Sequence, residues 1–226
     1  MRTRFAVIAI LGAALACDKP APAPRTPTFR DIIVERGRAR AATRPDSFSM
    51  AADRGRVEGD SAAPLWLVVV GDFQCERCKR WNDDVLPLIR NEYVATHRLR
   101  LAFLNMPKPE HLNAMPTALA AACASAQGKF WETSAKIFAT QANWKDLPDA
   151  RPYLDSLAIA AGADAKTLRF CTEAARAQKF VYTDVDRNKA AGVDSLPTFF
   201  IGQRKLVGAA PITTFRTIID SALKAK

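Results

Sequence analysis

The stretch from Leu65 to Trp81, L-W-L-V-V-V-G-D-F-Q-C-E-R-C-K-R-W, constrains the chain more than any other. Leu65 to Val70 is an unbroken apolar run rich in Val. It is too short for a helix and predicts a strand buried on both faces. Gly71 and Asp72 end it. Trp81, Val85 and Leu88 then continue at helical spacing, so Cys75 and Cys78 fall at the start of a helix. Cysteines three apart in a first helical turn share one face and lie within bonding reach. The helix start also favours the thiolate of Cys75 over its thiol. Strand, short loop and helix opening on a cysteine pair point to dithiol–disulfide exchange.

The C-x-x-C pair has two competing readings. One is half of a zinc site, but zinc commonly takes two closely spaced ligand pairs. Cys123 and Cys171 are far apart within helical patterns, and the only histidines are His97 and His111. The other is a purely structural bridge. A pair at a helix start after a buried strand favours redox work over both. Between the cysteines, the charge of Arg77 is expected to stabilise the Cys75 thiolate and that of Glu76 to oppose it. The mixed signs do not rank the pair as oxidant or reductant. Asp72 is a candidate for proton transfer, with a solvated strand-end acid as the alternative.

The N-terminus reads as an export signal. Arg2 and Arg4 precede the apolar stretch Phe5 to Ala16, which is too short to span a membrane stably, and Ala14-Leu15-Ala16 suits a cleavage site. Cys17 directly after it resembles a lipoprotein box, so Cys17 is a candidate for lipidation and membrane tethering. Cysteine arithmetic agrees: with Cys17 lipidated, the other four of the five cysteines form two pairs. Cys123 and Cys171 are then expected to bridge two helices, as an oxidising compartment favours. The formal charge is +10, and +8 without Arg2 and Arg4. The basic residues are scattered, which argues against a nucleic-acid partner and leaves weak attraction to anionic lipid.

The remaining chain gives an order of elements. Residues 1–16 are the signal peptide, and residues 17–48 a Pro/Ala-rich tether with a short helix at Phe29 to Arg36, opened by a Thr28/Asp31 capping box. Most of 37–63 reads as loop. Pro87 predicts a kink in the helix after the cysteines. Leu99 to Leu104 is a second short strand. Ala-rich helices follow, with Leu119, Ala122, Cys123 and Ala126 lining one face of the first. Thr198 to Ile201 and Lys205 to Val207 form a hairpin about Gly202-Gln203, and Pro211 opens a last helix. Trp66 and Trp131 are expected in the core. With sheet elements on both sides of the helical block, the fold class is α/β, a core in two parts (49–107 and 191–226) around a helical insertion (108–190).

Four stretches carry a resemblance: G-D-F-Q-C-E-R-C-K-R-W, V-L-P-L-I-R-N-E-Y, A-C-A-S-A-Q-G-K-F-W and G-V-D-S-L-P-T-F-F-I-G-Q-R-K-L-V-G. Together they resemble the DsbA-like branch of the thioredoxin superfamily, from about Val57 to Leu223. The resemblance implies a thioredoxin-like fold with an inserted helical domain. It implies that Cys75 attacks, Cys78 resolves, and Pro197, after Leu196, is in cis and shapes the groove beside them. Glu76-Arg77 stands where the family commonly has Pro-His or Pro-Tyr, so the exchange chemistry carries over without fixing how oxidising the pair is. The expected function is exchange of disulfides with cysteine-containing protein substrates, with a redox partner to reset the pair and no metal or organic cofactor. A non-catalytic peptide-binding or chaperone module on the same fold is the alternative.

Overall fold

The computed structural model describes residues 46–225. The export signal, Cys17 and the helix expected at Phe29 to Arg36 lie outside the described residues.

Five strands form one mixed sheet. They are β1 (Val57–Glu58), β2 (Leu65–Gly71), β3 (Leu99–Asn105), β4 (Thr198–Ile201) and β5 (Arg204–Val207), in the spatial order β1-β3-β2-β4-β5. β2 and β3 are parallel, with Leu65 opposite Leu99 and Gly71 opposite Asn105. β4 lies antiparallel on the other side of β2, and β5 returns beside it. The parallel register brings the ends of β2 and β3 together, so the loops after Gly71 and Asn105 leave the sheet side by side.

The apolar run of β2 is buried as expected of a central strand, with one exception. Trp66 is 39% exposed, not a core residue. It sits opposite Arg100, whose guanidinium lies 4.3 Å from the ring centroid. A flat indole with a cation stacked on it needs no burial. Trp131 is partly buried against the core.

The helix after the cysteines breaks once. α2 spans Glu76–Asp84, and α3 (Leu86–Ile89) opens with Pro87 in its first turn. Val85, at the junction, stays in the right-handed helical region but with φ stretched to −112°. Pro87 has no N–H to give the preceding turn, so the chain restarts the helix rather than bending it. A π-helical turn, Arg90–Val94, leads on towards β3.

Eight more helices complete the described residues. α1 is Ser47–Gly55, α4 Ala114–Ser125, α5 Phe130–Ala139, α6 Gln141–Trp144, α7 Arg151–Ala160, α8 Ala165–Thr172 and α9 Ala175–Ala190, before a last helix, α10, at Ile212–Lys224. Two sequence expectations change here. α1 and β1 occupy residues expected to be loop: Asp46 caps α1 through Ser49 N–H (2.9 Å), and Phe48 and Ala52 bury its inner face. α4 has no single apolar face. Nearly every residue from Ala118 to Ser125 is buried, whereas Leu119 is only partly so, because α1, α5, α7, α8 and α9 surround it. Small side chains let so many neighbours approach one helix.

The apolar interior falls into two clusters. One packs the sheet, Phe199 of β4 included, against Trp81, Phe130, Phe138 and Phe215. The other joins α1 to the helical block through Phe48, Ala122, Leu168 and Phe180, and holds the disulfide between Cys123 and Cys171. A buried polar knot stands at their border. Asp184 of α9 receives the guanidinium of Arg56 together with the backbone and side-chain N–H groups of Asn105, at 3.1 and 3.2 Å.

Candidate active site

Gly71 ends β2 where no side chain fits. A Cβ there would lie 2.9 Å from the Phe103 ring and 3.7 Å from Cys78 Sγ. The following loop is held by Asp72: Cys75 N–H donates to its carbonyl (3.1 Å) and Gln74 N–H to its carboxylate (2.8 Å). Cys75 is thereby set as the extended N-cap of α2, and Cys78 lies one turn in. Both are buried free thiols.

Their chemistry is unequal. The Cys75 thiol is lowered from the ordinary 9.0 to about 6, first by the Cys78 S–H that donates to it and then by the backbone N–H groups of Cys78 and Arg77. Burial and the Asp72 carboxylate oppose the shift without overcoming it. Burial pushes the Cys78 thiol up, and the hydrogen bond it gives to Cys75 adds to that. The helix start therefore holds one sulfur ready as thiolate and its neighbour as thiol.

The residues between the cysteines make contacts that the sequence does not show. Arg77 bears on Cys75 through its backbone N–H, which is among the largest causes of the lowering. The Glu76 carboxylate faces Lys145, 3.4 Å from its ammonium. Asp72 is not a solvated strand-end acid: its carboxylate is buried. Besides Gln74 N–H it accepts Lys108 N–H at 2.9 Å and lies 2.7 Å from His111 Nδ1.

A cleft of about 630 Å³ opens over Cys75, walled by Glu76, Arg77, His111, Lys145, Ser195 and Leu196 among others. The Leu196–Pro197 peptide bond is cis. Leu196 faces the open cleft, whereas Pro197 lines a narrow internal space behind it, with Cys78 and Trp81. The far wall is stitched to the cysteine loop. Gln74 gives a hydrogen bond to Lys145 O (3.0 Å) and receives one from Asn113 N–H (2.8 Å), and the Asn113 amide reaches the carbonyls of Trp144, Lys145 and Leu147. Lys108 extends its ammonium to Asp194 O, 3.2 Å away, on the loop before Pro197.

His111, Lys108, Gln74 and Asn113 carried no local signal. His111 stands 39 residues from Asp72. Only the topology marks it, because groups that meet a ligand in a parallel sheet gather beyond the carboxyl ends of adjacent strands. Cys123 and Cys171 lie away from the cleft, joined to each other with their Cα atoms 5.8 Å apart.

The comparisons with known proteins agree with this arrangement. Residues 51–221 match the family model described as Thioredoxin. The chain is 30% identical over 173 residues to Na(+)/H(+) antiporter NhaA 1 of Salinispora arenicola, a match that covers 75% of this chain and 25% of that protein. The chain thus spans about a quarter of that relative's length. It is 23% identical over 176 residues to Disulfide bond formation protein D of Bacillus subtilis, covering 75% of this chain and 78% of the relative. Among solved structures, alpha-DsbA1 of Wolbachia pipientis superposes with a TM-score of 0.68 at 18% identity, over 75% of this chain and 91% of that one. With its cysteine pair at the start of α2 beside a cis-proline loop, the chain belongs to the thioredoxin family.

Proposed function

We propose that the chain is an exported thiol–disulfide oxidoreductase that exchanges disulfides with cysteine-containing proteins through Cys75 and Cys78. The observation that carries this reading is the inequality of the two sulfurs: Cys75 lowered to about 6, Cys78 raised and shielded behind it. At pH 7 about nine molecules in ten then present the Cys75 thiolate. The name of the Bacillus relative, Disulfide bond formation protein D, supports the same chemistry.

In the oxidising direction a substrate thiolate attacks Cys75 Sγ of the Cys75–Cys78 disulfide. A sulfur–sulfur bond forms to Cys75, the bond to Cys78 breaks, and Cys78 leaves with the electron pair and takes a proton. A second substrate thiolate then attacks the substrate sulfur and releases Cys75 as a thiolate. Two electrons have passed to the enzyme, and a redox partner removes them. Reduction is the reverse, with Cys78 resolving the mixed disulfide. Leu196 and the loop leading to Pro197 hold substrate backbone against Cys75.

Insulin reduction by dithiothreitol tests this directly. The protein is expected to accelerate precipitation and the Cys75→Ser variant is not. A protein that binds insulin without acceleration is instead a peptide-binding module on this fold. Export follows from residues 1–16, and tethering from diacylation of Cys17. Among the described residues no helix is long and apolar enough to cross a membrane. Cys17→Ser is expected to move the exported protein from the membrane fraction to the soluble one, and wild type already soluble there refutes the tether.

A further inference from the structure

The buried Asp72 carboxylate has one titratable partner, and it comes from outside the cysteine motif. His111 Nδ1 lies 2.7 Å from Asp72 Oδ2, which also accepts Lys108 N–H, while Gln74 N–H donates to Oδ1. Two backbone N–H donors and the imidazole thus converge on the Asp72 carboxylate. A carboxylate only accepts, so Nδ1 carries the hydrogen and Nε2 is left for the second proton. The His111 side chain is partly exposed and lines the same cleft as Cys75, so that proton comes from solvent. Asp72 meanwhile disfavours the charged form of both cysteines.

We propose that His111 is a positioning residue of the exchange reaction: its imidazolium neutralises Asp72, and thiolate then forms more readily at Cys75. The proposal rests on the Cys75–Cys78 pair being the reactive one. The other charges sharing the cleft do not substitute for it. Lys145 faces Glu76, and the Lys108 ammonium is turned to the Asp194 carbonyl. Arg77, Glu110, Asp146 and the Asp194 carboxylate stand on the cleft wall, and neither carboxylate oxygen of Asp72 is paired to them. Among the described residues, His111 alone touches the Asp72 carboxylate with a side chain that can take up a second proton.

Linkage makes the effect reciprocal. If protonated His111 favours the thiolate, the thiolate favours protonated His111. The imidazole is therefore expected to titrate at higher pH in the dithiol protein than in the Cys75–Cys78 disulfide protein, by about half a unit. Proton NMR of the wild type reads this without substrate. His97, the only other histidine, is exposed near the opposite end of β3 and serves as internal reference. Identical His111 titrations in the two redox states overturn the proposal.

Variants give the second measurement. His111→Gln keeps a donor towards Asp72 but never charges, and is expected to reduce the acid dissociation of Cys75 about threefold to tenfold, as read by thiolate absorbance. The equilibrium with glutathione moves by the same factor towards the protein disulfide. His111→Lys keeps a cation and is expected to stay within about twofold of wild type. His111→Gln with a wild-type thiolate titration refutes the charge role and leaves only a structural hydrogen bond. Because these readings need no substrate, a protein inactive on insulin with the linkage intact sinks the proposed function alone. An active protein without the linkage sinks only the role of His111.

Discussion

The depressed Cys75 thiol makes the stability of the reduced protein depend on pH in a calculable way. Its value is about 6 when folded, against an ordinary 9.0. The unfolded chain therefore binds more protons at this sulfur between those values, and stability rises with pH across that window. The contribution is absent below about pH 6, where both states are protonated, and complete only above about pH 9. With ~1.4 kcal/mol per unit, the ideal gain between pH 5 and pH 8 is about 2.5 kcal/mol. Cys75 edges an open cleft, and solvent screening trims this to roughly 1–2 kcal/mol. Cys78, raised rather than lowered, contributes nothing favourable in this range. The assay is urea unfolding of the reduced wild type and of Cys75→Ser at pH 5 and pH 8. Other titrating groups are common to both proteins, so the difference between the two pH dependences isolates the sulfur. Wild type is expected to gain the stated amount over the variant at pH 8. The disulfide form of wild type, with no thiol to titrate, is expected to lack the effect. Parallel dependences of wild type and Cys75→Ser would show that the helix start does not hold a thiolate.

Three further outcomes follow from the described contacts. Cys78→Ala is expected to accumulate mixed disulfides between Cys75 and substrates, seen as reducible adducts on non-reducing gels, and their absence refutes the assigned order of attack. Arg77→Ala, which keeps the backbone N–H, is expected to leave the Cys75 titration within about 0.3 of a unit of wild type; a rise of a full unit would return the role to the guanidinium. Arg56→Ala leaves the buried Asp184 with the Asn105 hydrogen bonds and only a 3.9 Å approach of Arg187, and is expected to cost about 3 kcal/mol in urea unfolding, with little change in the thiolate titration.

Much of the fold was legible because it is written locally. The Val-rich run of β2, the turn of the β4–β5 hairpin and the apolar stripe of α10 each declare their element within ten residues or so. The cysteine pair is legible for the same reason. α1 was not, because its buried face is little more than Phe48 and Ala52, and its partner α4 lies about sixty residues on. Trp66 escaped because hydrophobicity does not say which residue of a central strand faces outward at its end. The site divides in the same way. Sulfur reactivity was read from the motif, with the helix start named as a cause and the Arg77 side chain added to it. The lowering comes from Cys78 and from amides that any sequence at that helix start supplies. His111 reaches Asp72 only through the parallel pairing of β2 with β3, which no window of sequence contains.

The placement of the Cys123–Cys171 bridge sets how the molecule handles redox traffic. A chain that trades disulfides while carrying one of its own risks spending turnover on itself. Attack on a sulfur–sulfur bond requires a thiolate to approach along the bond axis. Here both target sulfurs are sealed between α4 and α8, at 1% and 4% exposure, in the cluster that does not contain Cys75. Cys75, fixed as the N-cap of α2, has no path to them short of opening the helical block. The two couples are therefore kinetically insulated. Reducing conditions that cycle the Cys75–Cys78 pair leave the bridge oxidised, and the protein switches state at its mouth without loosening its frame.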